Sequence, residues 1–139
     1  MTAPFGIAGI DHVVLRVRDV PAMLRFYRGV LGCRLEKVQE ALGLTQLRAG
    51  TALIDLVDTA GPLGRAGGPP PGDGGRNMDH LCLRIAPWDE AAILAHLDAA
   101  GIAVGEQGER YGAEGYGPSI YVTDPEGNVV ELKGGRAAL

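Results

Sequence analysis

Cysteine is scarce in this chain. Two residues in 139, Cys33 and Cys82, cannot build a disulfide framework, and their spacing forms no metal knuckle. Both read as reduced, mostly buried thiols. Basic residues are also in short supply, thirteen Lys and Arg against seventeen Asp and Glu, for a formal net charge of -4. With no Lys/Arg run to supply a basic face, nucleic acid and anionic membrane surfaces are excluded as partners, and a small molecule is expected instead. No apolar run approaches the length that spans a bilayer, and the opening residues 1–6 lack a basic segment followed by an apolar one. The expected compartment is the cytoplasm. At this length there is not enough chain for two independent cores, yet 46% hydrophobic and 22% charged residues suffice for one. A single domain over 1–139 is expected.

What the chain does have is an internal repeat. Ile10-Asp11-His12-Val13-Val14-Leu15-Arg16-Val17 aligns without gaps on Met78-Asp79-His80-Leu81-Cys82-Leu83-Arg84-Ile85. Asp, His, Leu and Arg are shared, and every other position is apolar in both. Each octet predicts a strand, and because side chains alternate, His12, Val14 and Arg16 share one face, as do His80, Cys82 and Arg84.

An amphipathic helix follows each octet. Asp19 caps the first, with Pro21 just inside, and Gly32 ends it; Asp89 caps the second and Gly101 ends it. Beyond each helix three short apolar runs predict strands: Arg34–Gln39, Leu44–Ala49 and Ala52–Val57, then Ala103–Glu106, Ser119–Thr123 and Asn128–Lys133. Asp124-Pro125-Glu126-Gly127 reads as a turn folding the last two into a hairpin, and the Gly-rich stretch 108–118 as a loop. Between the halves, residues 61–76 hold Gly or Pro at eleven of sixteen positions, which predicts a flexible linker without helix or strand. The expected fold class is α+β, with two βαβββ modules over 7–58 and 78–134.

The last strand of each half carries one carboxylate among apolar neighbours: Asp55 in Leu53-Ile54-Asp55-Leu56, and Glu131 in Val129-Val130-Glu131-Leu132. An unpaired charge there would cost several kcal/mol, so each needs a cation or hydrogen-bond partners. Pairing with Arg16 or Arg84 is one solution. The other uses the repeat: related by a pseudo-twofold axis, within one chain or across two, the halves would bring His12, His80, Asp55 and Glu131 to one point. Two imidazoles and two carboxylates suit Zn, Ni, Co, Mn or Fe, with positions left open for substrate oxygens. His96, on the second helix, reads as a solvated surface residue, and Cys82 as a small buried hydrophobe rather than a ligand.

These residues resemble the vicinal oxygen chelate superfamily of glyoxalases, bleomycin-resistance proteins and extradiol dioxygenases. The resemblance rests on residues 10–15, on Phe26-Tyr27-Arg28-Gly29-Val30-Leu31-Gly32 and on the closing stretch 121–132. It implies paired modules forming a curved mixed sheet around a divalent metal, and a homodimer. It implies metal ligands at His12, His80 and Glu131, with Asp55 at a fourth position where relatives carry Glu or Gln. It also implies a glyoxalase I-like lyase or isomerase working through a chelated enediolate, with Glu131 shuttling the proton and Asp55 serving on the opposite face. Arg16 and Arg84 would hold substrate, and Tyr121 would line the pocket. The rival expectations are an Fe(II) extradiol-type dioxygenase using His12, His80 and Glu131, a thiol transferase, and an antibiotic-binding resistance protein.

Overall fold

The structure, a computed structural model, describes residues 2–135. Strand β1 (His12–Val17) leads to helix α1 (Val20–Leu24), which widens into π-helical turns over Arg25–Val30. Strands β2 (Arg34–Gln39), β3 (Leu44–Ala49) and β4 (Ala52–Asp58) complete the first half. Helix α2 (Pro62–Ala66) lies in the connection. The second half is β5 (Leu81–Ile85), α3 (Glu90–Ala99), β6 (Gln107–Gly112), β7 (Gly115–Thr123) and β8 (Val129–Gly134).

Each half is a four-stranded mixed sheet, ordered β1-β4-β3-β2 and β5-β8-β7-β6. The first strand of each lies parallel to the last, and the remaining neighbours are antiparallel. The helices start as their sequences dictate: the Asp19 and Asp89 carboxylates accept from the backbone N–H groups of Ala22 and Ala92, both at 3.0 Å. They end at Gly32 and Gly101, whose φ angles of 79° and 73° lie in the left-handed region.

The halves share one core. Leu15, Val17, Met23, Phe26, Tyr27, Ile54 and Leu56 of the first pack in one cluster with Leu97, Ile120, Val122, Val130 and Leu132 of the second. Burying each Leu or Ile contributes about 1.5–3 kcal/mol. The junction is polar as well. Buried Tyr27 Oη donates to Asp124 Oδ2 at 2.7 Å, and Asp124 also accepts from the Asn128 side chain at 2.8 Å and from the backbone N–H groups of Glu126 and Asn128. The helix of the first half is thus fastened to the β7–β8 turn of the second, across 97 residues of sequence. Because the core side chains alternate with the polar ones along each strand, the faces carrying His12 and His80 point away from this core.

Three expectations need correction. Strand β6 runs over Gln107–Gly112 rather than Ala103–Glu106, so most of the presumed Gly-rich loop is a β6–β7 hairpin turning at Gly112↔Gly115. The shorter run still reaches β7, since Gly105 N–H donates to the Tyr121 carbonyl at 2.8 Å and Tyr121 N–H to the Glu106 carbonyl at 2.9 Å. The linker is not without structure: Pro62 opens α2, and Gly64 sits so close to the end of β4 that a Cβ there would fall 2.0 Å from the Asp58 carbonyl. Cys33 is buried as expected, but Cys82 is exposed.

Candidate metal centre

His12 opens β1, and His80 stands directly before β5 on the same alternating face as Cys82 and Arg84. Each imidazole is held by the residue before it. His12 Nδ1 lies 2.7 Å from Asp11 Oδ1, and His80 Nδ1 lies 2.6 Å from Asp79 Oδ2. A carboxylate can only accept, so Nδ1 carries the proton in both rings, which leaves Nε2 as the free donor atom when the ring is neutral.

The two Nε2 atoms face the two strand carboxylates. His80 Nε2 is 3.2 Å from Glu131 Oε1, and His12 Nε2 is 4.0 Å from Asp55 Oδ2. Both carboxylates are buried while both rings are accessible. Glu131 is also held by Ser119 Oγ at 2.6 Å and Tyr121 Oη at 2.8 Å, and Asp55 by Gln46 Nε2 at 3.2 Å to each oxygen. Burial alone would raise the Glu131 pKa. The hydrogen bonds from Ser119 and Tyr121, with the His80 charge, more than offset this and hold the carboxyl below its ordinary range. The Asp11 hydrogen bond, with Asp55 beyond, holds His12 above the ordinary imidazole range.

The donor chemistry suits a divalent cation: two imidazole nitrogens oriented by carboxylates, and two buried carboxylates. The four donors nevertheless form two pairs. Among the described residues, no three of His, Cys, Asp and Glu come together within one chain. Of the two arrangements open to the repeat, a meeting of all four donors within one chain is not formed among the described residues.

The Glyoxalase/Bleomycin resistance protein/Dioxygenase superfamily matches residues 9–132. The chain belongs to this superfamily. It is 33% identical over 125 residues to virulence protein STM3117 of Salmonella typhimurium, covering 88% of this chain and 81% of the relative. The crystal structure of that protein superposes with a TM-score of 0.79 at 28% identity, over 95% of this chain and 100% of the other. An integron cassette protein from V. cholerae gives 0.76 at 26% identity, over 94% and 97%. Lactoylglutathione lyase from Agrobacterium tumefaciens, at 24% identity, shares the fold with a TM-score of 0.67 over 93% and 95%.

The glyoxalase-superfamily fold places the remaining candidates unevenly. Tyr121 lies beside the second pair, bonded to Glu131 and edge-on to the His80 ring at 5.8 Å. Arg84 shares that face, with Nη1 2.7 Å from Glu114 Oε1. Arg16 is held elsewhere: its guanidinium donates to the carbonyls of Gly64, Gly68 and Pro69, clamping the linker. His96 is exposed, with Nε2 2.7 Å from the Val30 carbonyl. Asp11, Asp79, Gln46 and Ser119 were missed as partners in the site. The repeated Asp-His pair and the alternation of Ser119 with Tyr121 were the available signals.

Proposed function

We propose that the chain is a divalent-metal-dependent, glyoxalase I-like lyase or isomerase whose centre is completed by a second copy. His12 and Asp55 of one chain join His80 and Glu131 of the other, giving two equivalent sites per homodimer. What carries this reading is the matched construction of the two pairs, each an Asp-oriented imidazole turned toward a buried strand carboxylate. A bound Zn, Ni, Co, Mn or Fe ion would supply Lewis-acid stabilisation of developing negative charge on a small oxygenated or thiol-conjugated substrate.

The chain's own residues supply the rest. Ser119 and Tyr121 fix the Glu131 carboxylate in place, so a proton arriving there meets a defined oxygen geometry. Their hydrogen bonds also stabilise its charged form and weaken it as a base, so it takes up a proton once bound substrate loosens them. Asp55, shorter than the Glu or Gln of relatives and held by Gln46, stands on the other half of the site. Arg84 and Tyr121 line the substrate side.

The test is elemental analysis of untagged protein purified without oxygen, followed by assay with hemithioacetals. About one Zn, Ni, Co or Mn per chain, with turnover lost on Glu131→Gln, supports the reading. Stoichiometric Fe(II) with cleavage of catechols shifts it to the dioxygenase, and protein that takes up no metal on titration leaves a ligand-binding resistance module.

A further inference from the structure

Lys133 has no role in the site described so far, and its surroundings are unusual for a lysine. The residue is only 6% exposed, and its ammonium makes a single hydrogen bond, to the Gly134 carbonyl at 3.3 Å. Among the described residues, two of its three donor positions thus lack a protein acceptor. A buried ammonium is normally paired with a carboxylate, yet the nearby acids are engaged: Glu131 by Ser119, Tyr121 and His80, and Glu114 by Arg84.

The backbone is shaped around this cation. A Cβ at Gly112 would stand 2.8 Å from Lys133 Cε, and one at Gly117 would stand 2.9 Å from Nζ. Only glycine in the β6–β7 hairpin lets the stem lie flat against the sheet. Lys133 also pairs across the sheet with Arg84, placing two cations side by side, of which Arg84 alone is paired with a carboxylate, Glu114. Glu131 lies two residues back along β8 on the same face, about 7 Å away along the strand.

We propose that Lys133 and Arg84 form an oxyanion subsite next to Glu131, so that the substrate carries a carboxylate or phosphate group, and that Glu114 occupies Arg84 until this anion displaces it. The assignment rests on the proposed function for its place beside the reacting centre, but its binding chemistry needs no metal. Glu114, half exposed at the tip of the β6–β7 hairpin, acts as a competitor for the guanidinium rather than as a ligand.

Isothermal titration of full-length, EDTA-treated protein with inorganic phosphate and, separately, acetate tests this. Wild type binds one of the two, the better one identifying the head group. Lys133→Met, which keeps the stem and removes the charge, weakens binding by about tenfold or more. Glu114→Gln, at an exposed turn where folding is not at risk, strengthens it severalfold by freeing Arg84; a Lys133 that served packing alone would leave anion binding unchanged in Lys133→Met. Equal affinity in wild type and both variants, or no binding of either anion, overturns the inference. Protein that takes up no metal but binds phosphate through Lys133 removes the proposed function and leaves the subsite standing. Protein that takes up metal but binds anions independently of Lys133 does the reverse.

Discussion

If each centre draws one pair of donors from each of two chains, two inactive variants should repair one another. His12→Ala removes an imidazole from one pair, and His80→Ala removes the imidazole of the other. In either homodimer both sites lose one nitrogen donor, and affinity should fall by more than the roughly 10–100-fold that loss of an outer-shell partner alone produces. In a mixed dimer the losses distribute differently. The His80→Ala chain still supplies His12 and Asp55, and the His12→Ala chain still supplies His80 and Glu131, so one site is intact and the other has lost both imidazoles. Random reassociation of equal amounts gives mixed dimers as about half the population, so about a quarter of the wild-type sites are restored. The assay is Zn or Mn retention per chain after dialysis at a metal concentration that fills wild type and neither variant, with native mass spectrometry to count mixed dimers. A mixture that contains mixed dimers yet retains no more metal than its parents refutes the shared-site reasoning. So would protein that fills its sites as a monomer.

Other expectations follow from particular contacts. Asp11→Asn and Asp79→Asn each remove the carboxylate that sets the ring tautomer, and should weaken metal binding by about 10–100-fold in a competition titration while the fold, monitored by circular dichroism, is unchanged. Tyr27→Phe removes the bond that ties the first helix to the β7–β8 turn and should lower stability by about 1–3 kcal/mol in urea unfolding, because Asp124 stays buried. Burial, with Asp124 beside it, drives the Tyr27 phenol far above its ordinary value near 10, so the folded state keeps a proton that the unfolded state gives up. Its contribution to stability is therefore intact below pH 10 and declines as pH rises above it, and wild type should lose more stability than Tyr27→Phe between pH 9 and 11. Arg16→Met releases the carbonyls of Gly64, Gly68 and Pro69, and should make the linker the first site cut in limited proteolysis.

The repeated octets announced β1 and β5, and the apolar runs over Arg34–Gln39 and Leu44–Ala49 coincide with β2 and β3 end for end. Strands β1, β3 and β5 were legible because alternating burial leaves a period of two in the residue types, whereas β2 is exposed along nearly its whole length. Strand β6 was not legible, because its hairpin is built from Gly108, Gly112, Gly115 and Gly117, whose composition signals a loop. The glycines there answer to close contacts with Arg110, Lys133 and the end of β8, information carried only by the folded sheet. The linker misled for the same reason: Gly64 reads as a breaker, but it is the one residue that fits against Asp58. At the site, the His and carboxylate pairs were visible through their matched places in the repeat. Their separation within a chain was not, since it depends on how Tyr27 meets Asp124 and how two helices share a core. Arg16 shows the limit of matching positions between the halves: it aligns with Arg84, yet one arginine clamps a linker while the other faces the candidate site.

The packing that parts the two pairs also bears on how a metal would act on the whole protein. The helix-side core and the Tyr27–Asp124 bond join the halves, and among the described residues the donors of one chain stand as two pairs. Closing the centre around a second copy leaves that interior untouched. Metal binding and dimerisation are then one linked equilibrium: an ion that binds the dimer and not the monomer must stabilise the dimer by the same free energy with which dimerisation strengthens the metal. Apparent metal affinity should consequently fall as the protein is diluted below its dimer dissociation constant, and chelation should lower the size measured at a fixed low concentration. A site built within one chain has neither property, because its donors stay together at any dilution. The two arrangements thus separate on protein concentration alone, before any substrate is known.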